Sequence, residues 1–563
     1  MKRFARTVPA VGNIEFLPSA RPFSNFDFVD KHFGDIWPLR RILSQVRMNG
    51  GETIVIERLQ DAADLAEENA DLQQLCAGYD PASSRAWRLS FFRGAVADLQ
   101  ALRRMSPNRF LGYAIVKKDA VPATPLVCSR GRTGYRVYES VVKGSRHKNN
   151  YVRGSPTWVC CIAGRPLSID GYLYAQQNAV TNCCAHVAVR TAATRFMGTD
   201  LSYRQINEWV AEFRMTHGIP HAFPGAGLSN DEICDILHRI GANTFEGNYT
   251  GASVHPVPYQ RYLYGAVESG FPAILFFDTQ QRDSSGQTAS HAIPIFGHTF
   301  NEDAWVPDAN LLYFPMRQAT KALSSDTWVS MFLGHDDNAG SNYCIPRHYV
   351  ETTRTCLDEH ENRVRCKEQE GAVAYAIGTL PADVKVDPIE AEAIGADYLL
   401  AILREVPAGF KGWTERWQKR LEGYHGRQLL VLRTILLNGL QYASHLKAVH
   451  GWDKKPLPKW LPDAFARVAD DCFWMVELSV PELFSANRRK LGEILIRADT
   501  DAGTQRDFKN FFCARLPGCF VVIVDGKATK PTGAGAQPKF LYIPLSVVDH
   551  VELYGCEEPT TGC

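Results

Sequence analysis

The sequence predicts an α+β protein of several domains, with a central block that runs helices first and antiparallel strands afterwards. Three observations carry this reading. The chain has 563 residues, too many for one ordinary core, so roughly two to four domains are expected. Residues 183–240 place apolar side chains at helical spacing, whereas 273–306 carry short apolar runs of strand length. Strand-like runs recur on both sides of this block.

The elements follow in order. Glu52 to Arg58 reads as a strand, and Leu59 to Cys76 and Arg93 to Arg104 read as helices. From Phe110 the texture turns to β, at 110–117, 136–142 and 157–164. Cys183 to Met197 is an amphipathic helix with Val187, Ala188, Thr191, Ala192 and Phe196 on one side and Gly198 as its C-cap. Leu201 to Arg214 starts a second helix near Ser202, and Asn230 to Ile240 is a third, closed by Gly241. Strands follow at Ala273 to Phe277, His291 to Phe296 and Asp303 to Val306. Beyond residue 350, the charged stretch Cys356 to Glu370 reads as a surface excursion, a hairpin or a helix-flanking loop. Helices are expected at Ile389 to Glu405 and Gly426 to His450, then strands at 473–480, 492–498, 518–525 and 539–546. The expected division is a mixed α/β region over 1–160, a central domain over 161–350, and a helical then β-rich region over 351–563. No internal repeat is evident.

Composition removes some functions. Lys and Arg number 62 against 61 Asp and Glu, for a net charge of +1, so nothing favours a protein held to nucleic acid by phosphate contacts. No apolar run approaches the length of about 18 residues needed for a membrane span. The nearest, Leu429 to Leu437, is interrupted by Arg433 and Thr434. No run of signal length follows the N-terminus, so a cytoplasmic location is expected. The 15 cysteines lack framework spacing and fit free thiols in a reducing compartment.

Chemistry concentrates in Gln177-Asn178-Ala179-Val180-Thr181-Asn182-Cys183-Cys184-Ala185-His186. A thiol attacks as thiolate, and a helix N-terminus favours that charge. Cys183 sits where loop gives way to helix. The amide of Gln177, six residues upstream, and the N–H of Cys183 can hold a developing oxyanion. His291, opening a buried strand, is the candidate base. Asp308, seventeen residues later on the next strand, is the candidate carboxylate that orients it.

Cys183, Cys184, His186 and His291 also make a conceivable zinc set. Adjacent cysteines on a helix diverge by about 100°, which disfavours it, so neither metal nor cofactor is expected. The polar cluster Gly334-His335-Asp336-Asp337-Asn338-Ala339-Gly340 reads first as a turn and second as a substrate-facing loop at the rim of the site.

The order Gln, five residues, Cys at a helix start, then His and Asp on successive strands resembles the papain-like superfamily. Within it, the pattern is most similar to the bacterial C39-like peptidases of the bacteriocin-processing group. The resemblance covers about 130 of the 563 residues. It implies a papain-like core with Gln177 at the oxyanion position, Cys183 as nucleophile, His291 as base and Asp308 as orienting acid. This chain has Cys184 where those relatives have Gly or Trp, which makes Cys184 a rival nucleophile. The acid follows Pro307, so Asp303 or Asn310 are alternatives to Asp308. The implied activity is a thiol peptidase that cleaves a peptide or isopeptide bond of a protein or peptide substrate. Transglutaminase-like acyl transfer at the same site and a non-catalytic binding module are the alternatives.

Overall fold

A computed structural model of the chain describes residues 4–6, 14–18, 24–34, 36–59, 63–122, 132–144, 150–222, 224–250, 258–282, 288–300, 322–347, 353–357, 363–367, 372–405, 415–449, 456–457, 459–484, 489–500, 510–516, 519–524, 527–529 and 543–544. The architecture is α+β with mostly antiparallel sheets, as expected. The chain forms two compact units. One comprises Met1–Val257, Phe271–Phe296 and Phe332–Thr379; the other comprises Pro258–Gly270, Gly297–Met331 and Leu380–Cys563. Among the described residues no helix is long and apolar enough to cross a membrane.

The first unit begins with a five-stranded antiparallel sheet in chain order: Ile14–Pro18, Gly51–Leu59, Arg85–Arg93, Phe110–Val121 and Arg132–Val142. Strand alternation sorts its side chains onto two faces. Ile54 and Ile56 pack with Phe91 and Leu89 against Phe26, Val29, Ile42 and Leu43 of the helices Ser24–Phe33 and Trp37–Met48. Val55 and Phe92 turn the other way, towards Trp158, Ile162, Leu167 and Ile169 of a small three-stranded sheet.

The central block of this unit has the expected order of elements. The helices are Cys184–Met197, Tyr203–His217 and Asn230–Arg239. Each boundary has a local cause: Gly198 closes the first helix at φ 62°, while Ser202 and Ser229 cap the next two. A sheet follows in the order Ala242–Asn248, Ala372–Pro381, Ala273–Arg282, Thr288–Phe300, Val329–Asp336, Gly340–Pro346. Val187, Ala188 and Ala192 of the first helix are buried against Ile274, Phe276, Ala292 and Ile377 of the sheet. This packing fixes the start of that helix over the strand bearing His291. The segment Asp303 to Val306, expected as the next strand, lies outside the described residues, as does Asp308. The charged stretch after 350 forms a pair of antiparallel strands, Thr353–Leu357 and Arg363–Lys367.

The second unit centres on a sheet ordered Leu323–Ser324, Val431–Asn438, Cys472–Ser479, Gly492–Arg497, Phe511–Leu516, Cys519–Val524, Lys527–Thr529. One expectation is corrected here: 426–450 is not one helix. Val431–Asn438 is a strand whose residues are buried on both faces, and the helix is Gly439–Ala448, capped by Asn438. An apolar run buried all round has no amphipathic period, so helix and strand cannot be told apart by spacing. On one face Ile435, Leu437, Phe473, Met475 and Leu495 pack with Tyr442, Leu446 and Phe465. On the same face a buried charge ladder crosses four strands, with Arg433 opposite Glu477, Glu477 opposite Glu493 and Glu493 opposite Arg515. Lys490 Nζ sits between the two glutamates, 2.5 Å from Glu477 and 2.8 Å from Glu493.

A repeat absent from the sequence is present in the element order. Ser24–Phe33, Trp37–Met48, Gly51–Leu59, Ala63–Leu75, Arg85–Arg93, Leu99–Arg104, Phe110–Val121 and Arg132–Val142 run ααβαβαββ with the four strands as an antiparallel meander. Residues 388–516 repeat this order, with one extra helix, Trp460–Ala466, and a two-residue strand, Arg489–Lys490. Both copies bury an ion pair across their first two long strands, Glu57 with Arg88 in one and Arg433 with Glu477 in the other.

Candidate active site

The loop before the helix Cys184–Met197 is held by its own side chains. Asn178 Oδ1 accepts from the N–H groups of Val180 and Thr181 at 2.9 and 2.8 Å, while Asn178 N–H donates to Asn182 Oδ1 at 2.8 Å. Asn178 Nδ2 donates to Thr181 Oγ1 and to the buried carboxylate of Glu68. Ala179 between them takes a left-handed φ of 60°. Such Asx turns compete with helix, and here they end where the helix begins. Gln177, the expected oxyanion donor, is half-buried on the segment leading into this loop.

Cys183 is the N-cap residue, extended at φ −125°, and Cys184 is the first helical residue. The two side chains point to different partners. Cys183 Sγ lies 3.1 Å from His186 Nδ1, and the Cys183 N–H approaches the same nitrogen at 3.3 Å. His186 Nε2 meets Asn207 Oδ1 at 2.9 Å, and Asn207 Nδ2 donates to the Thr181 carbonyl. That amide orientation puts the His186 proton on Nε2 and leaves Nδ1 as an acceptor. Burial lowers the His186 pKa to about 4, so the ring is neutral.

Cys184 faces His291, with thiol and imidazole within hydrogen-bonding reach. The neighbouring thiols make negative charge easier on Cys183, whose pKa lies below the ordinary value, and harder on Cys184, whose pKa lies well above it. Burial opposes charge on both, and His291 favours it on Cys184.

His291 lies on the strand Thr288–Phe300, paired opposite Phe277, whose ring it meets edge-on. Its Nε2 lies 3.4 Å from Asp336 Oδ1 and 3.5 Å from Asp337 Oδ1. Both carboxylates come from the tight turn that joins Val329–Asp336 to Gly340–Pro346. The polar cluster is therefore a turn and also supplies the carboxylates at His291.

Asp336 Oδ1 accepts from the N–H groups of Asn338 and Ala339, which anchors it. Burial pushes its pKa up, but His291 and those N–H groups outweigh this and hold it below the ordinary value. Burial lowers the His291 pKa, and the hydrogen bonds to Asp336 and Cys184 outweigh it, leaving the imidazole well above its ordinary value. The turn is pinned from outside by Gln45, which exchanges hydrogen bonds with Ser341. Gly334 allows its strand to lie close to that of His291: a Cβ there would stand 2.5 Å from the Pro294 carbonyl oxygen.

The structure thus brings together Cys183, Cys184, His186, His291, Asp336 and Asp337, and joins Cys184, not Cys183, to His291. From the sequence, Asp336 and Asp337 read first as a turn and second as a substrate-facing loop at the rim of the site, not as the carboxylates at His291. The signal that could have raised them is the pair of adjacent carboxylates at the end of an apolar strand. No family model matches the chain, and no curated protein matches it.

Proposed function

We propose that the protein is a thiol hydrolase with a papain-like arrangement, acting on a peptide or isopeptide bond of a protein or peptide substrate. The observation that supports this best is the contiguous set Cys184, His291 and Asp336: a thiol at a helix start, an imidazole in its reach, and a carboxylate at the Nε2 of that imidazole. In this reading Cys184 is the nucleophile.

The proton of Cys184 passes to His291, and the imidazolium is stabilised by Asp336. The sulfur attacks the carbonyl carbon, and the oxyanion develops at the helix start, in the positive end of the helix dipole. His291 then gives its proton to the leaving amine as the C–N bond breaks. Water, deprotonated by the same imidazole, attacks the thioester, and the acid leaves as Cys184 is regenerated. Cys183, beside Cys184 and hydrogen-bonded to His186, acts as a positioning residue. Gln177 keeps the oxyanion role that the resemblance gives it.

Transfer of the acyl group to an amine uses the same first step. The two are separated by incubating the protein with a peptide library in heavy-oxygen water, with and without an added primary amine. Mass spectrometry of the products tests the reading: label in new carboxyl groups supports hydrolysis, amine adducts support transfer, and unchanged peptides overturn both.

A further inference from the structure

We propose that His291 Nε2 and the carboxylates of Asp336 and Asp337 form a divalent-cation site suited to Zn²⁺, on the same imidazole that serves Cys184. The three ligand atoms lie within 4.8 Å of one another. Their separations from Nε2, 3.4 and 3.5 Å, lie at the long end for hydrogen bonds. They match the edges of a tetrahedron around a metal with bonds of about 2.0–2.1 Å, which are about 3.4 Å.

Asp337 supplies the second observation. It is 4% exposed, and neither of its side-chain oxygens has a hydrogen-bond partner among the described residues. Asp336 beside it accepts two backbone N–H groups; Asp337 accepts none at its side chain. Two buried carboxylates share one imidazole, so even an imidazolium leaves one negative charge without a counter-charge. A divalent cation in place of that proton neutralises both, with an open coordination position left for water. This set differs from the one considered from the sequence, since His186 is turned to Cys183 and Asn207.

Cation binding has a consequence for the thiol chemistry. Coordination takes the Nε2 lone pair and diverts Asp336, so His291 can no longer become an imidazolium. Zinc would then act as a reversible brake. That consequence rests on the thiol reading above, whereas binding itself does not.

The test is zinc titration of the metal-stripped full chain against a chromophoric chelator, alongside alkylation by iodoacetamide. Wild type is expected to take up about one equivalent, and Asp337→Asn to lose that equivalent while keeping the wild-type circular dichroism. Zinc should block alkylation of Cys184, and EDTA should restore it. Uptake that survives Asp337→Asn but vanishes in Cys183→Ser or Cys184→Ser would overturn the site in favour of the thiols. No uptake by wild type, with Cys184 still alkylated, would overturn the metal site and spare the thiol reading. Uptake lost in Asp337→Asn, with no alkylation even after EDTA, would support the metal site and remove the thiol reading.

Discussion

His291 Nε2 faces Asp336 Oδ1 at 3.4 Å, so a residue on one strand meets the last residue of the neighbouring strand 45 positions later. The contact joins the imidazole to a carboxylate whose own position is set by two backbone N–H groups. Asp336→Asn is expected to slow reaction with an electrophile by about a hundredfold. Because Asp336 favours the charged imidazole, its loss lowers the His291 pKa. The upper limb of the labelling pH profile should therefore move to lower pH, which a purely structural role would not cause. An unmoved limb would count against Asp336 as the positioning carboxylate.

Gly334→Ala tests the strand approach that makes this contact. The added carbon would meet the Pro294 carbonyl at 2.5 Å and Ile295 Cδ1 at 2.9 Å. Backbone cannot swing away as a flexible side chain can, so a loss of about 1–3 kcal/mol is expected, read from the thermal midpoint.

Acid stability should report Glu68, which binds the loop before Cys183 through Asn178. Burial favours its neutral form, but Arg136 and Lys117 outweigh this and lower its pKa from 4.5 to about 2. The folded value lies below the unfolded one. Its stabilisation is therefore complete above pH 4.5 and is lost as pH falls from there towards about 2. Glu68→Gln should flatten stability across that window. At neutral pH it should cost about 3–5 kcal/mol, since two buried cations lose a partner. Denaturant melts across this pH range check both.

The ladder in the second unit gives a separate expectation. Glu477 is buried between Arg433 and Lys490. Glu477→Ala should destabilise that unit by about 3–5 kcal/mol, whereas replacing Glu477 and Lys490 together by apolar residues should cost less. A double-mutant cycle on urea midpoints measures the difference.

Local order was readable where neighbours along the chain decide it. The helix over Cys184–Met197, its Gly198 cap and the Ser202 start all follow from spacing and capping residues. What depends on pairing at a distance was not. The sequence places a strand over Asp303 to Val306 beside His291 and Asp308 at its end, and both lie outside the described residues; among those, the sheet sets Val329–Asp336 beside Thr288–Phe300. Similarly, Val431–Asn438 passed for helix because it is buried on every side. The repeated ααβαβαββ order was invisible because the two copies share topology and not residues. Which sulfur meets His291 turns on one step along a helix start, and a spacing rule counted from Gln177 does not resolve that step.

Selective labelling decides which of the two sulfurs attacks. Full-length wild type, Cys183→Ala and Cys184→Ala are treated with a peptide-based electrophile at neutral pH, and the modified residue is read by mass spectrometry. Modification of Cys184 is expected in wild type, with its loss in Cys184→Ala and slower but retained labelling in Cys183→Ala. Labelling that persists on Cys183 in Cys184→Ala and disappears in Cys183→Ala would contradict this and return the nucleophile to Cys183.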